Sequence, residues 1–397
     1  MATPAHLRRI NQRRIIGTLL RLGSATRADL AKATAMSQPT AGKIVDELLA
    51  ADILQALDTT PSDSSPLPPL PRMGRPGQLL CLNRQRPRFL SIQLGVVHTR
   101  MALLPVAVPD RDEWAVQIPT ARNPHDWLKQ IATASQELVN APIDAVVLSV
   151  PGVVDERSGQ VLLCPNLRWA ETVNLAQLLQ PLWNVPVSMV QEIRALALGH
   201  LAVEPASGDF LLVDFGDGVG GAAVLRHALF ESSIPLSGEL GHTPVLGNKR
   251  RCGCGTIGCV ETLVSRQGFL ESFAAEKKGP HSWPALVEHI STDGVEPWLA
   301  ASLDAAAVTI AGALNVLGVR RAVITGSLTE LPPAAIQYLS DAVIKGAMWA
   351  RFGEVVCQGA PRRRNAGLVS AAIDRVLLPE LEENSAAMSG ARTSLVD

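Results

Sequence analysis

Apolar residues recur at helical spacing through the first fifty positions. Ile10, Ile15, Ile16, Leu19, Leu20 and Leu22 line one face of a first helix, which Gly23 stops. Thr26 can cap a short second helix over 27–34, with Leu30 and Ala33 turned inward. Ser37 can cap a third. Pro39 falls in its first turn, where no amide partner is lost, and Ile44, Val45, Leu48 and Leu49 form its buried stripe. Ile53 and Leu54 begin a strand, and 79–83 returns as a closing one. Between them, 58–77 holds six prolines and cannot be a regular element.

From about residue 88 the pattern changes. Residues 89–95 and 100–104 read as a hairpin-like pair, and 145–150 as a continuous buried strand running into Pro151-Gly152. The hairpin theme repeats at 210–214 and 221–225, around the glycine-rich turn 215–221. Residues 320–325 form a further buried strand, 311–317 the helix before that last strand, and 365–372 the start of a closing helix. Strands alternating with helices predict an α/β body, and the duplicated strand–turn–strand predicts two related lobes around a cleft.

Composition sets bounds on this picture. A chain of 397 residues, 47% hydrophobic and 18% charged, suits a soluble protein of two or three domains. No apolar run approaches the ~18–20 residues of a bilayer span, and the amino end is too basic for a secretory signal; both predict a cytoplasmic protein without a membrane partner. Charge is uneven. Residues 1–50 carry eight Arg or Lys against three acids, a balance of +5, which leaves −6 for the rest of a chain whose net charge is −1. A basic head calls for a polyanion. The third helix would present Gln38, Thr40, Ala41 and Lys43 beside the capping Ser37; Gln pairs with adenine, Thr reaches a base edge or methyl, and Lys neutralises phosphate. Helix order and charge together read as a winged helix-turn-helix on a double-stranded DNA operator, against the alternative of a three-helix module for protein contact. Arg75, in Gly74-Arg75-Pro76, can enter a minor groove from an enlarged wing tip, or 58–77 is a plain linker.

Three of the six cysteines crowd into eight residues. Cys252, Cys254 and Cys259 with His242 make a full tetrahedral set for Zn²⁺, and a closed set is structural. Glu239 and Glu261 bracket this knot. They either converge with His242 on a polyhydroxylated ligand or are surface carboxylates. The turn 215–221 can cradle phosphate with backbone amides, but Asp217 places a negative charge where phosphate would sit, so a plain tight turn is the better reading.

These residues together resemble the ROK family of transcriptional repressors, uncharacterised reading frames and sugar kinases. The zinc knot after Gly238-Glu239-Leu240-Gly241-His242 is the most specific mark; Val150-Pro151-Gly152-Val153-Val154-Asp155 with Gly159, then Pro165-Asn166-Leu167 and Trp169, is a second. The likeness implies a two-lobed, actin-like sugar-kinase body of ribonuclease H-like lobes behind a winged helix-turn-helix, in the branch of the N-acetylglucosamine and xylose repressors. Domains would run 1–84 (with 58–77 as wing or linker), 85–205, 206–378 and a frayed tail, 379–397. By the same likeness, Glu239, His242 and Glu261 bind sugar hydroxyls, and Gly152, Asn166, Gln191 and Glu192 belong to the same pocket. The effector would be a sugar or sugar phosphate, the assembly a homodimer or homotetramer.

The departures fall on kinase chemistry. Gln93-Leu94-Gly95-Val96-Val97 replaces Asp-x-Gly-Gly-Thr, Gln191-Glu192 replaces the catalytic Asn-Asp, and Asp217 replaces a threonine. Glu192's longer arm misplaces a base by about an ångström, an error that costs ~10²-fold in rate. A sugar-responsive regulator, a repressor in the family's sense and not an enzyme, is the reading favoured over a sugar kinase with an appended DNA-binding head. A body that mainly docks another protein is the third.

Overall fold

The computed structural model describes residues 4–57, 78–232, 234, 236–279 and 281–378. Arg75 and the stretch 58–77, and the tail 379–397, lie outside them. The chain divides into two compact units, one drawn from Met1–Arg86 and Ala372–Asp397, the other Pro87–Ala371.

In the first unit, α1 (Pro4–Leu22) ends at Gly23, whose φ is +73°. A two-residue strand, β1 (Ala25–Thr26), leads into α2 (Arg27–Ala33), where Thr26 and Asp29 exchange hydrogen bonds as a capping box. In α3 (Gln38–Ala50), Ser37 Oγ accepts from the Thr40 amide. β2 (Leu54–Ala56) and β3 (Leu79–Leu82) complete an antiparallel sheet of order β1-β3-β2. Ile15, Ile16, Leu19, Leu30, Val45, Leu48 and Leu80 are buried between these elements. Three burial assignments differ from the sequence pattern. Leu22 is half exposed at the end of α1, Ala31 rather than Ala33 is buried in α2, and Ala41, expected on the free face of α3, is fully buried. In each case the helix phase set by the larger neighbours wins over the residue's own position in the pattern.

The second unit holds two five-stranded sheets of one design. β4 (Phe89–Leu94), β5 (His98–Leu104) and β6 (Val116–Pro119) form an antiparallel meander. After α4 (Pro124–Leu138), β7 (Ala145–Val150) pairs parallel with β4. A small hairpin, β8 (Val153–Asp155) and β9 (Gln160–Leu163), and then α5 (Leu175–Trp183), precede β10 (Val187–Gln191), which pairs parallel with β7. α6 (Glu192–Val203) leads to the second sheet. There β11 (Phe210–Phe215), β12 (Val219–Leu225) and β13 (Ala228–Leu229) repeat the meander. α7 (Glu261–Val264), α8 (Arg266–Glu276), α9 (Trp283–Asp293) and α10 (Pro297–Leu317) follow. β14 (Arg321–Gly326), α11 (Pro333–Gly346) and β15 (Val356–Gly359) complete the sheet, and α12 (Arg364–Ala372) closes the unit. The orders β6-β5-β4-β7-β10 and β13-β12-β11-β14-β15 correspond strand for strand.

Two expectations need correction. The strand after 311–317 is not the last, because α11 and β15 follow it; β15 is only four residues long and too short to stand out by pattern. And one stretch does reach bilayer length: α10 is apolar enough by composition to span a membrane. Its Leu299, Leu303, Ala306, Ala307, Ile310, Ala311 and Leu314 are instead buried in the core of the second sheet, with Phe269, Leu286 and Ile324.

Candidate metal knot and cleft

The knot is a loop laced to itself. Cys252 N–H donates to Thr256 O, Gly255 N–H to Cys252 O, and Gly258 N–H to Arg250 O, with Gly255 and Gly258 at φ of +98° and +92°. This turns the side chains of His242, Cys252, Cys254 and Cys259 together, with all four ligand atoms within 4.8 Å of one another. Cys252 Sγ lies 3.6 Å from His242 Nδ1, and Cys254 Sγ 3.7 Å from Cys259 Sγ. Bonds of about 2.3 Å to sulfur and about 2.0 Å to nitrogen around one tetrahedral ion give edges of about 3.8 and about 3.5 Å. The four residues therefore fit a metal ion. The Thr256 hydroxyl, 3.0 Å from both Cys254 and Cys259, can support either sulfur. His242 turns its other nitrogen, Nε2, toward Glu239 Oε2 at 3.6 Å.

The acids flanking the knot are not free surface groups. Glu239 Oε1 accepts from Gln191 Nε2 at 3.4 Å, and the same amide donates to Gly152 O at 2.8 Å. Burial pushes the Glu239 carboxyl above its ordinary range, against the pull of His242. Gly152 has φ +85°, and a Cβ there would fall 2.2 Å from Leu163 O, so the β7–β8 turn admits only glycine. On the other side, Glu261 Oε2 accepts the Val219 amide at 2.8 Å and Oε1 lies 3.5 Å from Cys252 Sγ. The structure thus ties Gly152, Gln191, Glu239 and His242 into one chain of contacts, with Glu261 across the knot. Asn166 is the exception. It sits exposed on the turn after β9, its side chain without a hydrogen bond among the described residues, although Pro165 beside it abuts Gly253.

Glu192, next to Gln191, faces a group that the sequence pattern did not single out. Its Oε1 accepts from Gln93 Nε2 at 3.0 Å and from both Nε and Nη2 of Arg364 at 2.6 Å. Gln93 Oε1 in turn accepts from Arg100 at 3.0 Å. The next arginine of the run, Arg362, donates to both oxygens of Asp214 at 2.7 and 2.8 Å and to Phe215 O at 3.3 Å. Burial alone would raise the Asp214 carboxyl, but the Arg362 charge and hydrogen bonds outweigh it and hold the group low. A Cβ on Gly216 or Gly326 would come within 2.7 or 2.6 Å of Arg362 Nη2, so this guanidinium fills the space beside the glycine turn. The turn itself is the tight β11–β12 connection expected, with Asp217 exposed at its tip. The available sequence signal was Arg362-Arg363-Arg364, a basic run in an acidic body just ahead of the closing helix.

In the first unit, Ser37, Gln38, Thr40 and Lys43 are all exposed at the start of α3. Ser37 and Thr40 hydroxyls bond each other at 2.8 Å.

Two five-stranded sheets of matching order, a Cys₃His knot and acids converging beside it define a class: duplicated α/β proteins of the actin-like type. The ROK family model matches residues 89–373, and the chain belongs to that family. A xylose repressor of Caldicellulosiruptor bescii is 26% identical over 272 residues, 66% of each chain, so the match spans just under two thirds of that relative. An N-acetylmannosamine kinase of Escherichia coli is 24% identical over 67% of this chain and 98% of the enzyme. Among solved structures, a ROK family transcriptional regulator, homologous to the E. coli MLC protein, superposes with a TM-score of 0.71 at 20% identity, over 94% of this chain and 98% of its own.

Proposed function

We propose that the protein is a sugar-responsive transcriptional regulator, a repressor, that binds a double-stranded operator through a winged helix-turn-helix head and senses a sugar or sugar phosphate in the ROK body without phosphorylating it. The head is the domain over 1–84, the lobes run 85–205 and 206–378, and the regulator works in the cytoplasm as a homodimer or homotetramer on a two-fold related site. Gln38, Thr40 and Lys43 read DNA from α3, with Ser37 fixing the helix start; Arg75 adds a minor-groove contact. Gly152, Asn166, Gln191, Glu192, Glu239, His242 and Glu261 hold the sugar. Zn²⁺ on His242, Cys252, Cys254 and Cys259 supplies a cross-link that fixes the loops carrying Glu239 and Glu261.

The observation that carries this reading is the engagement of Glu192 by Arg364. A general base must be free to take a proton within hydrogen-bond reach of the substrate, and this carboxylate is held by a guanidinium fork. Arg362 beside the glycine turn supports it, since phosphoryl transfer needs that space for phosphate and its metal. Support also comes from the similarity to xylose repressors. The near-complete match to an N-acetylmannosamine kinase favours the second reading, a sugar kinase with a DNA-binding head.

Calorimetric titration with D-xylose, D-glucose, N-acetyl-D-mannosamine and their phosphates should find a saturable ligand whose binding Glu261→Ala abolishes. Genomic fragments should be retained at low salt, and Lys43→Ala should weaken retention while reducing its salt dependence. A panel without any binder sinks the sensor reading. Sugar-dependent ATP turnover lost in Glu192→Gln establishes the kinase instead.

A further inference from the structure

Helix α12 has unlike ends. At its start, Arg364, with a side chain only 9% exposed, holds Glu192. Asn365, fully buried, donates from its backbone to Asp112 Oδ1 and from Nδ2 to Glu113 O, both at 2.8 Å, and accepts from Ser91 Oγ at 2.9 Å. Along its length it is locked to α6. A Cβ on Gly367 would fall 1.8 Å from Ala195 O, and one on Gly199 would fall 1.8 Å from Arg363 O. Beyond its last residue, the π-turn Ile373–Leu377 belongs to the compact unit of the head. There Arg13 of α1 donates to Asp374 O at 2.6 Å, and Glu47 of α3 takes Arg8 at 2.8 Å and Gln12 at 3.4 Å.

Glu192 is thus one residue from Gln191, whose amide bridges Gly152 and Glu239, and is also the anchor of α12. A ligand hydroxyl that engages Glu192 competes with Arg364 for the same carboxylate. We propose that the Glu192–Arg364 ion pair is a latch: released or held according to what occupies the pocket, it sets the freedom of α12 and, through Asp374 and Arg13, of the helices that carry the DNA-reading residues. Arg364 is a positioning residue in this scheme, and the pair is the two-state element that a coupling between sites requires. The inference rests on the sensor reading above.

Its test uses neither sugar nor DNA, so the two readings fail separately. Hydrogen–deuterium exchange is measured on the full chain for wild type, Glu192→Gln, Arg364→Lys and the control Glu231→Gln. Glu231 is an exposed acid that pairs with Arg194 at 3.3 Å. Glu192→Gln keeps the side-chain shape and removes the charge. It should speed exchange at least fivefold in residues 364–377 and 9–19. Arg364→Lys should fall between it and wild type, and Glu231→Gln should leave both segments unchanged. Unaltered exchange in 9–19, a uniform rise over the whole chain, or the same pattern in the control overturns the latch.

Discussion

His200 shows how much one side chain can carry. It is buried on α6, edge-on to Phe210, with Nε2 3.1 Å from Ser207 Oγ and, among the described residues, no partner for Nδ1. Burial lowers its pKa; the Arg363 and Arg321 charges push the same way, and Glu204 opposes them. A base depressed in the folded state takes its proton preferentially when unfolded. Its contribution to stability is therefore complete above the unfolded value of about 6.5 and is lost as pH falls below that. Melting temperature should decline between pH 7.5 and 5.5, and His200→Gln, which keeps a partner for Ser207, should flatten the decline. An unchanged slope removes His200 as its source. At this scale the knot was legible in the sequence because its ligands fall within eighteen positions, and the glycines between them announce a tight loop. Arg362 and Arg364 were not, because their partners lie 148 and 172 positions away, and nothing in a local pattern specifies such a pairing.

Among elements, the close pairing of α6 and α12 gives a sharp contrast between glycines. Gly367→Ala drives a methyl into the Ala195 carbonyl and should cost several kcal/mol or abolish folding. Gly312→Ala, at an exposed position inside α10 with nothing within 4 Å, should raise stability by ~0.5–1 kcal/mol. Chemical denaturation of both variants checks the pair; equal effects would refute the packing described. Long strands and amphipathic helices were readable, since burial on one or both faces writes itself into periodicity. β1, β13 and β15 were not: two to four residues hold too little pattern, and tertiary pairing alone makes them strands.

For the whole molecule, the matching strand orders of the two sheets bear out the α/β body and the duplication expected from the repeated hairpin, and the family match bears out the resemblance seen in the knot. The relation of sugar to knot is a matter for metal removal. Purified protein should hold one zinc per chain; Cys259→Ser or a strong chelator should lower the melting temperature and weaken sugar binding at least tenfold, because the loops carrying Glu239 and Glu261 lose their common anchor. Zinc loss without effect on either readout would reduce the knot to an ornament.

Arg362 also bears on where this lineage can go. Replacing Gln93, Gln191, Glu192 and Asp217 by the residues of a ROK kinase would still leave the guanidinium seated against Gly216 and Gly326, clamped by Asp214. Clearing that space requires replacing Arg362 as well, and that change strands a buried carboxylate at a penalty of about 3–5 kcal/mol. In the regulator proposed above, such a clamp keeps the pocket from consuming its own signal.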